Sequence, residues 1–295
     1  MTNAVETITA AALRRHVERL TAYGPRHRTN PTAVTVALRY LTECLASYGH
    51  QVVVERYGPD AHEVNLLTGV TGGGDLPIVE IGAHWDSVPE SPGADDNASG
   101  VAGALELARV FAGPAAPRPL RFCFFGGEED QPVGCTGSRA HVARLDAAGD
   151  RVDGAIVLEM IAYRDHRPGT QRFPADAAAA GVDLARLGRA TFIAVVGNER
   201  AAGYLAAIEA AGRTQTPALP VLPVVLPADH TANGMRSDHY PYWLSGRSGV
   251  MVTDTAEFRN AHYHRPTDTV DTLDVDFAEQ VTRTLADALR LWEGT

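Results

Sequence analysis

The feature that most constrains the fold of this chain is a series of short apolar segments, each long enough for one buried strand. Most of these segments are continuously apolar rather than alternating, which is typical of strands whose two faces are both covered by helices. Helical patterns lie between several of them, so the sequence predicts an α/β fold with one central sheet. The predicted strands are residues 51–57, 64–69, 78–83, 120–125, 155–160, 191–196, 221–226 and 249–253.

The remaining patterns predict the helices that cover this sheet. The spacing of Ile8, Leu13, Val17 and Leu20 predicts an amphipathic helix near the N-terminus. Further helices are predicted at 99–111, 138–145, 201–211 and 275–292. We therefore expect residues 1–295 to form a single domain. Its expected architecture is a three-layer sandwich, in which a central mixed, mostly parallel β-sheet is flanked by helices.

Composition disfavours several classes of partner. The formal net charge of −10 argues against nucleic-acid and anionic-membrane partners, which usually require a basic face. The sequence has no apolar run long enough for a membrane span, and its N-terminus lacks the pattern of a signal peptide, so we expect a cytoplasmic protein. The three cysteines form no C-x-x-C pair, which disfavours a disulfide framework and a cysteine-based zinc site.

Polar side chains that suit metal binding follow several of the predicted strands. In an open α/β sheet, ligands bind beyond the carboxyl ends of the strands. Each residue alone has a simpler interpretation; Asp96, for example, could merely cap the next helix. Together they suit zinc, which binds imidazole nitrogen and carboxylate oxygen where cysteine is absent. The residues are His84, Asp86, Asp95, Asp96, Glu128, Glu129, Glu159, His262 and His264.

Six motifs in a fixed order resemble the dizinc aminopeptidase family, which includes bacterial leucyl aminopeptidases, glutamate carboxypeptidases and glutaminyl cyclases. One motif alone would be weak, but the ordered set is specific and covers residues 78–273. The resemblance implies a zinc-peptidase catalytic domain, hydrolysis of a peptide or amide bond, and two Zn²⁺ ions per chain. The motifs are AHWDS at 83–87, GADDNASG at 93–100, GGEED at 126–130, LEM at 158–160, SDHYPYW at 237–243 and HYHRPTDT at 262–269.

The resemblance also implies a ligand set. Many family members carry Asp where this chain has Glu159, which is one methylene longer and still able to ligate. The peptide bond between Asp96 and Asn97 is expected to be cis, as in the family. The implied metal ligands are His84 and Glu159 on one zinc ion, Glu129 and His264 on the other, and Asp96 bridging both.

Three further residues take catalytic roles in the resemblance. Glu128 would be the general base, since a carboxylate that does not bind metal can take the proton of the attacking water and pass it to the leaving amine. Tyr263 would stabilise the oxyanion through its hydroxyl, and a packed aromatic at the rim of the site is an equal alternative. Asp86 would hold the ring of His84 through its other nitrogen.

Several functions stay open at the level of sequence. The leading interpretation is an aminopeptidase acting on peptides. A close alternative is an amidohydrolase that cleaves a small non-peptide amide and needs no free α-amino group. A glutaminyl cyclase-like acyltransferase with one zinc ion is a further alternative, while a non-catalytic relative is disfavoured because Glu128 and the ligands are retained. Arg200 and Arg236 could contact a substrate carboxylate, although solvated surface positions are favoured for both. The oligomeric state and the side-chain preference stay open.

Overall fold

Eight strands form one mixed sheet in the computed structural model, which describes residues 4–59, 63–174, 187–227 and 232–291. The strands are β1 (Val52–Tyr57), β2 (Glu63–Thr68), β3 (Ile78–His84), β4 (Leu120–Phe125), β5 (Val152–Glu159), β6 (Ile193–Asn198), β7 (Val221–Leu226) and β8 (Ser248–Thr253). Their order across the sheet is β1-β2-β4-β3-β5-β8-β6-β7. The neighbouring strands β4, β3, β5 and β8 are all parallel, whereas β1 with β2, β2 with β4 and β6 with β8 are antiparallel.

The helices cover both faces of this sheet. One face packs against α1 (Ala10–Thr21), α2 (Pro31–Ser47), α3 (Gly100–Val110), α5 (Ala202–Thr214) and α7 (Val275–Leu291), and the other against α4 (Thr136–Ala148) and α6 (Tyr240–Leu244). Strand β4 shows the alternation: Phe122 and Phe124 join the first core, while Cys123 and Phe125 join the second. The predicted α/β class and the mixed sheet between helices are confirmed.

All eight predicted strands are present, with bounds that shift by a few residues. Strand β8 is buried along its whole length, as expected for a strand covered on both faces. The last predicted helix is α7, although its predicted final residue, Trp292, lies outside the described residues. Among the residues that the structure describes, no helix is both long and apolar enough to cross a membrane.

A long helix that the sequence analysis did not predict, α2, follows α1. Asn30 caps it by accepting a hydrogen bond from the Ala33 N–H at 3.3 Å, and proline occupies the first helical position. Its buried stripe consists of Ala33, Ala37, Leu41 and Leu45. Two of these four residues are alanine, so the stripe is a weak apolar signal. The short helix α6 was also not predicted.

Candidate metal centre

The predicted ligand residues converge at the carboxyl edge of the four parallel strands. His84 is the last residue of β3, and Glu159 is the last residue of β5. Glu129 lies in the loop after β4, and His264 lies in the loop after β8. Because β4, β3, β5 and β8 lie side by side and run in the same direction, their carboxyl ends share one edge of the sheet.

Asp96 lies between two groups of possible metal ligands. His84 Nε2 is 3.4 Å from Asp96 Oδ1 and 3.3 Å from Glu159 Oε1. On the other side, His264 Nε2 is 3.1 Å from Asp96 Oδ2 and 3.2 Å from Glu129 Oε1. Within each group the ligand atoms lie within 4.8 Å of one another. The structure therefore brings all five predicted ligands together, in the same two groups that the resemblance implied.

The centre contains more carboxylates than histidines, and the pKa values reflect this imbalance. Burial, together with repulsion from Asp96, raises the pKa of Glu129 to about 7. Burial, together with repulsion from Glu129 and Glu159, raises the pKa of Glu128 well above its usual range. Hydrogen bonds from the two histidines outweigh burial and lower the pKa of Asp96. Buried carboxylates that repel one another fit a site for divalent cations, which supply the missing positive charge.

The backbone that presents Asp96 is irregular and is held by Asp268. The peptide bond between Asp96 and Asn97 is cis, as predicted. The main-chain N–H groups of Asp95 and Asp96 donate to the two carboxylate oxygens of Asp268, at 2.9 and 3.1 Å. At Gly93 the φ angle is 63°, and a Cβ there would lie 2.1 Å from the Asp96 carbonyl oxygen, so the turn requires glycine.

Asp86 organises the neighbouring loop, but its contact with His84 differs from the prediction. Its carboxylate accepts hydrogen bonds from the main-chain N–H groups of Glu128 at 3.3 Å and Glu129 at 3.1 Å. His84 Nδ1 is 3.2 Å from the main-chain carbonyl oxygen of Asp86 and 3.6 Å from its carboxylate. Asp86 thus orients the imidazole mainly through its backbone, because its side chain is turned toward the Glu128–Glu129 loop.

Arg26, which the sequence analysis did not single out, is a fully buried cation beside the centre. Its guanidinium donates to the main-chain carbonyls of Trp85 at 2.6 Å, Pro92 at 2.6 Å and Gly93 at 2.9 Å. These carbonyls belong to the loop after β3 and to the turn before Asp96. Arg26 therefore holds both ends of the connection between the ligands His84 and Asp96, although nothing in its local sequence indicates this distant contact.

Glu128 lies beside the ligands without joining either ligand group among the described residues. Cys135 Sγ lies 3.6 Å from Glu128 Oε1, at the range of a weak S–H hydrogen bond. Burial, together with the Glu128 carboxylate, raises the pKa of the Cys135 thiol well above its usual range. The thiol is therefore neutral, while the Glu128 carboxylate faces the cavity that opens from the centre.

Tyr263 lies at the rim of this cavity, with its ring and its hydroxyl both held in place. The ring stacks on the imidazole of His264, with centroids 3.8 Å apart and planes at 21°. Arg236 Nη2 donates to the Tyr263 hydroxyl oxygen at 3.0 Å, and Arg236 Nη1 pairs with Glu257. The Arg236 side chain is 41% exposed, in keeping with a surface position, and it also lines the cavity. Arg200 is exposed, as expected.

Ser237 contacts Glu159, the predicted ligand at which this chain departs from the family pattern. Its hydroxyl donates to Glu159 Oε2 at 2.6 Å, while Oε1 of the same carboxylate faces His84. Ser237 is fully buried, so this contact fixes the longer side chain in one orientation. Ser237 belongs to the SDHYPYW motif, but the motif alone did not predict this role for the serine.

A cavity of about 160 Å³ opens from the acidic centre over the end of the sheet. One wall is apolar and is formed by β6, β7 and β8. Residues 171–174 and 255–258 also line the cavity. An apolar group bound here would therefore lie directly beside the carboxylates. The side chains of the apolar wall are those of Ala194, Val196, Leu222, Val224, Leu226 and Met251.

Comparison with known proteins identifies the family. Residues 65–289 match the family described as peptidase family M28. The chain belongs to this family. The predicted family and the prediction of a metallopeptidase enzyme are therefore confirmed. The match covers most of the chain, including every residue of the two ligand groups.

Relatives differ in how much of their length this chain covers. An uncharacterized Escherichia coli protein, YfbL, is 33% identical over 267 residues, which are 87% of this chain and 80% of YfbL. A probable lipoprotein aminopeptidase of Mycobacterium tuberculosis, LpqL, is 32% identical over 235 residues, which are 71% of this chain and 41% of LpqL. Because one relative is named as a lipoprotein, the cytoplasmic location stays a prediction.

Solved structures share the fold. The Legionella pneumophila aminopeptidase LapA superposes with a TM-score of 0.74 at 21% identity, over 99% of this chain and 74% of LapA. A Tannerella forsythia glutaminyl cyclase superposes with a TM-score of 0.71 at 19% identity, over 97% of this chain and 99% of the cyclase. At these identities the likeness shows the fold alone, and the reaction depends on the residues of the site.

Proposed function

We propose that this protein is a zinc-dependent aminopeptidase that removes N-terminal residues from peptides. The observation that carries the proposal is the pair of ligand groups that share Asp96, one with His84 and Glu159 and the other with Glu129 and His264. Membership of peptidase family M28 and the relatives named as aminopeptidases support the same activity.

The ligand set fits two zinc ions. Each group offers one imidazole nitrogen and carboxylate oxygens, which are zinc ligands, and neither contains cysteine. His84 and Glu159 would hold one ion, Glu129 and His264 the other, and Asp96 would give one oxygen to each. Zinc bound there lowers the pKa of a water molecule and polarises the carbonyl of the bond to be cleaved.

The other residues of the site would move and stabilise charge. Glu128 is left to accept a proton from the attacking water, because its neighbour Glu129 faces the ligand group. Glu128 then donates that proton to the leaving amine. The Tyr263 hydroxyl donates to the oxygen that becomes negative during the attack. Asp86 fixes the backbone of Glu128 and so sets the direction of its carboxylate.

The shape of the cavity supports an apolar N-terminal residue as substrate. The apolar wall of β6, β7 and β8 lies next to the acidic centre, so a side chain such as that of leucine would be desolvated beside the reacting bond. A peptide then extends through the opening of the cavity. Cleavage of a small non-peptide amide is the alternative that the same residues would serve.

The test combines metal content with activity of the purified protein. We expect two zinc ions per chain by elemental analysis, and hydrolysis of leucine p-nitroanilide but not of its N-acetyl derivative. Glu128→Gln should keep both ions and lose activity by about 10²- to 10⁴-fold. Glu199→Gln, at an exposed position, is the control and should match the wild type.

Other results would replace the proposal. Cleavage of the N-acetyl derivative as fast as the free amine would indicate an amidohydrolase. One tightly held zinc ion, with conversion of an N-terminal glutamine to pyroglutamate, would indicate a cyclase. If the protein bound no zinc, the ligand assignment itself would be wrong.

A further inference from the structure

Arg236 makes a contact that the proposed reaction does not account for. Its guanidinium lies at the cavity and donates through Nη2 to the hydroxyl oxygen of Tyr263, at 3.0 Å. The other terminal nitrogen, Nη1, pairs with the carboxylate of Glu257, which also lines the cavity. The guanidinium is therefore anchored on one side and presents an N–H to the tyrosine on the other.

The contact determines which way the tyrosine proton points. Arginine is a donor only, so the Tyr263 oxygen accepts from Arg236 and cannot donate back to it. The ring cannot turn away, because it is stacked on the imidazole of His264 at 3.8 Å. The hydroxyl hydrogen is therefore free for an acceptor other than Arg236, and the residue lines the cavity that contains the acidic centre.

The charge of Arg236 also changes the strength of that donor. A hydrogen bond from a cation to the phenol oxygen draws electron density from it and makes its own O–H a stronger donor. Pairing with Glu257 keeps the guanidinium at this position instead of extending into solvent. The same pairing reduces the positive charge that remains for capture of a substrate carboxylate.

We propose that Arg236, held by Glu257, is a positioning residue that directs the Tyr263 hydroxyl toward the oxyanion of the substrate. This inference rests on the proposed function, since it requires an acyl substrate whose carbonyl oxygen becomes negative. Arg236 itself does not touch the reacting atoms. It acts only through Tyr263, so its contribution should disappear when the tyrosine hydroxyl is removed.

The experiment is a double-mutant cycle on the zinc-loaded enzyme, with Arg236→Met, Tyr263→Phe and the combined variant. For hydrolysis of leucine p-nitroanilide, Tyr263→Phe should lower kcat by about 10²-fold, as expected for one oxyanion donor. Arg236→Met should lower kcat by about tenfold, within the coupling range of residues in contact. The double variant should be no slower than Tyr263→Phe, and KM should change little in all three.

A second readout does not depend on turnover. The affinity for a tetrahedral leucine phosphonate, measured by calorimetry, should fall in Arg236→Met and Tyr263→Phe in parallel with kcat. Arg236→Lys, which keeps the charge, should recover part of the loss. Zinc content should stay at the wild-type value in each variant. Arg200→Met removes an exposed arginine outside the cavity and is the matched control.

Three results would overturn the proposal. If the Arg236→Met effect were unchanged in the Tyr263→Phe background, the arginine would act independently of the tyrosine. If Arg236→Met raised KM only for substrates with a nearby carboxylate, Arg236 would be an anion-binding residue. If Tyr263→Phe kept full activity, the tyrosine would have no oxyanion role, while the Glu128→Gln result would still decide the proposed function separately.

Discussion

Replacing His141 with glutamine should destabilise the protein in a pH-dependent way. His141 lies on α4 between two carboxylates, with Nδ1 at 3.2 Å from Glu55 and Nε2 at 3.1 Å from Glu80. Glu80 is fully buried and also accepts from Arg121 at 2.9 Å and from the Tyr242 hydroxyl at 2.6 Å. An imidazole with a carboxylate at each nitrogen donates to both, so it carries a positive charge.

This network has the composition and spacing of a metal site, but its carboxylate oxygens are already engaged in hydrogen bonds. The ligand atoms of Glu80, His141 and Cys123 lie within 4.8 Å of one another. However, both oxygens of Glu80 already accept hydrogen bonds from Arg121 and Tyr242. The charges of His141 and Arg121 balance those of Glu80 and Glu55, so ion pairs and hydrogen bonds within the group join β1, β3, β4 and α4.

The size of the destabilisation by His141→Gln depends on which hydrogen-bond partners Glu80 keeps. Removing one partner of a buried ion pair costs roughly 3–5 kcal/mol. Glu80 keeps Arg121 and Tyr242, so we expect the lower end, about 3 kcal/mol. For a protein of this size such a loss lowers Tm by about 6 °C.

The pH dependence has a definite sign. The carboxylates of Glu80 and Glu55 outweigh the opposing effect of burial and raise the pKa of His141 well above its usual range. The pKa of histidine in the unfolded chain is about 6.5, so the stabilisation by His141 is complete below that pH. It is lost as the pH rises toward the pKa of His141 in the folded protein. Between these two pKa values the stabilisation by His141 declines by up to about 1.4 kcal/mol per pH unit.

Glu55 determines the acid limit of the pH range in which this network stabilises the protein. Hydrogen bonds from His141 outweigh burial and lower the pKa of Glu55 to about 2. Its contribution is present above about pH 4.3 and is lost as the pH falls toward 2. The difference in stability between wild type and His141→Gln should therefore be largest from about pH 4.5 to 6.5.

The assay is urea unfolding of the zinc-loaded protein at pH 5.5, 7 and 9, with each variant compared with wild type at the same pH. His166→Gln, at an exposed histidine, is the control and should change stability little. A loss in His141→Gln that was equal at all three pH values would refute a charged imidazole. A loss that grew toward pH 9 would do so as well.

Three further substitutions test the supports of the metal centre and the cavity. Ser237→Ala removes the hydrogen bond to Glu159 and should weaken zinc binding by about 10- to 100-fold in a chelator competition; unchanged affinity would contradict this role. Arg26→Met leaves two buried carbonyls and one partly buried carbonyl without their donor. It should cost about 3 kcal/mol or more in urea unfolding, whereas Arg39→Met at an exposed position should be neutral. Ala194→Phe should fill the apolar wall and raise KM for leucine p-nitroanilide more than for alanine p-nitroanilide; an equal change in both would place the side chain elsewhere.

Much of the fold was predictable because its central strands carry a strong local signal. β4 and β8 are apolar and buried on both faces, and such segments admit few alternatives. The ligands were predictable for a related reason. His84 and Glu159 end their own strands, so a sequence rule about parallel strand ends places them at one edge before any contact is known.

Elements whose signal depends on packing rather than on local pattern were not predictable from the sequence. Helix α2 is anchored by small residues such as Ala33 and Ala37, which pack well against a neighbour but resemble a surface helix in sequence. Arg26 likewise looks like a charged residue in a turn. Only the folded chain shows that three main-chain carbonyls surround its guanidinium.

The contacts that orient the site join residues that are far apart in the chain. Asp86 reaches the backbone of Glu128 across 42 positions, and Ser237 reaches Glu159 across 78. None of these contacts follows from the strand-end rule, because each depends on how two loops meet above the sheet. Transferring only the ligand residues to another parallel sheet would therefore reproduce the donor atoms without fixing their directions. Since metal affinity and proton transfer both depend on those directions, the supporting residues set the activity that the ligands make possible.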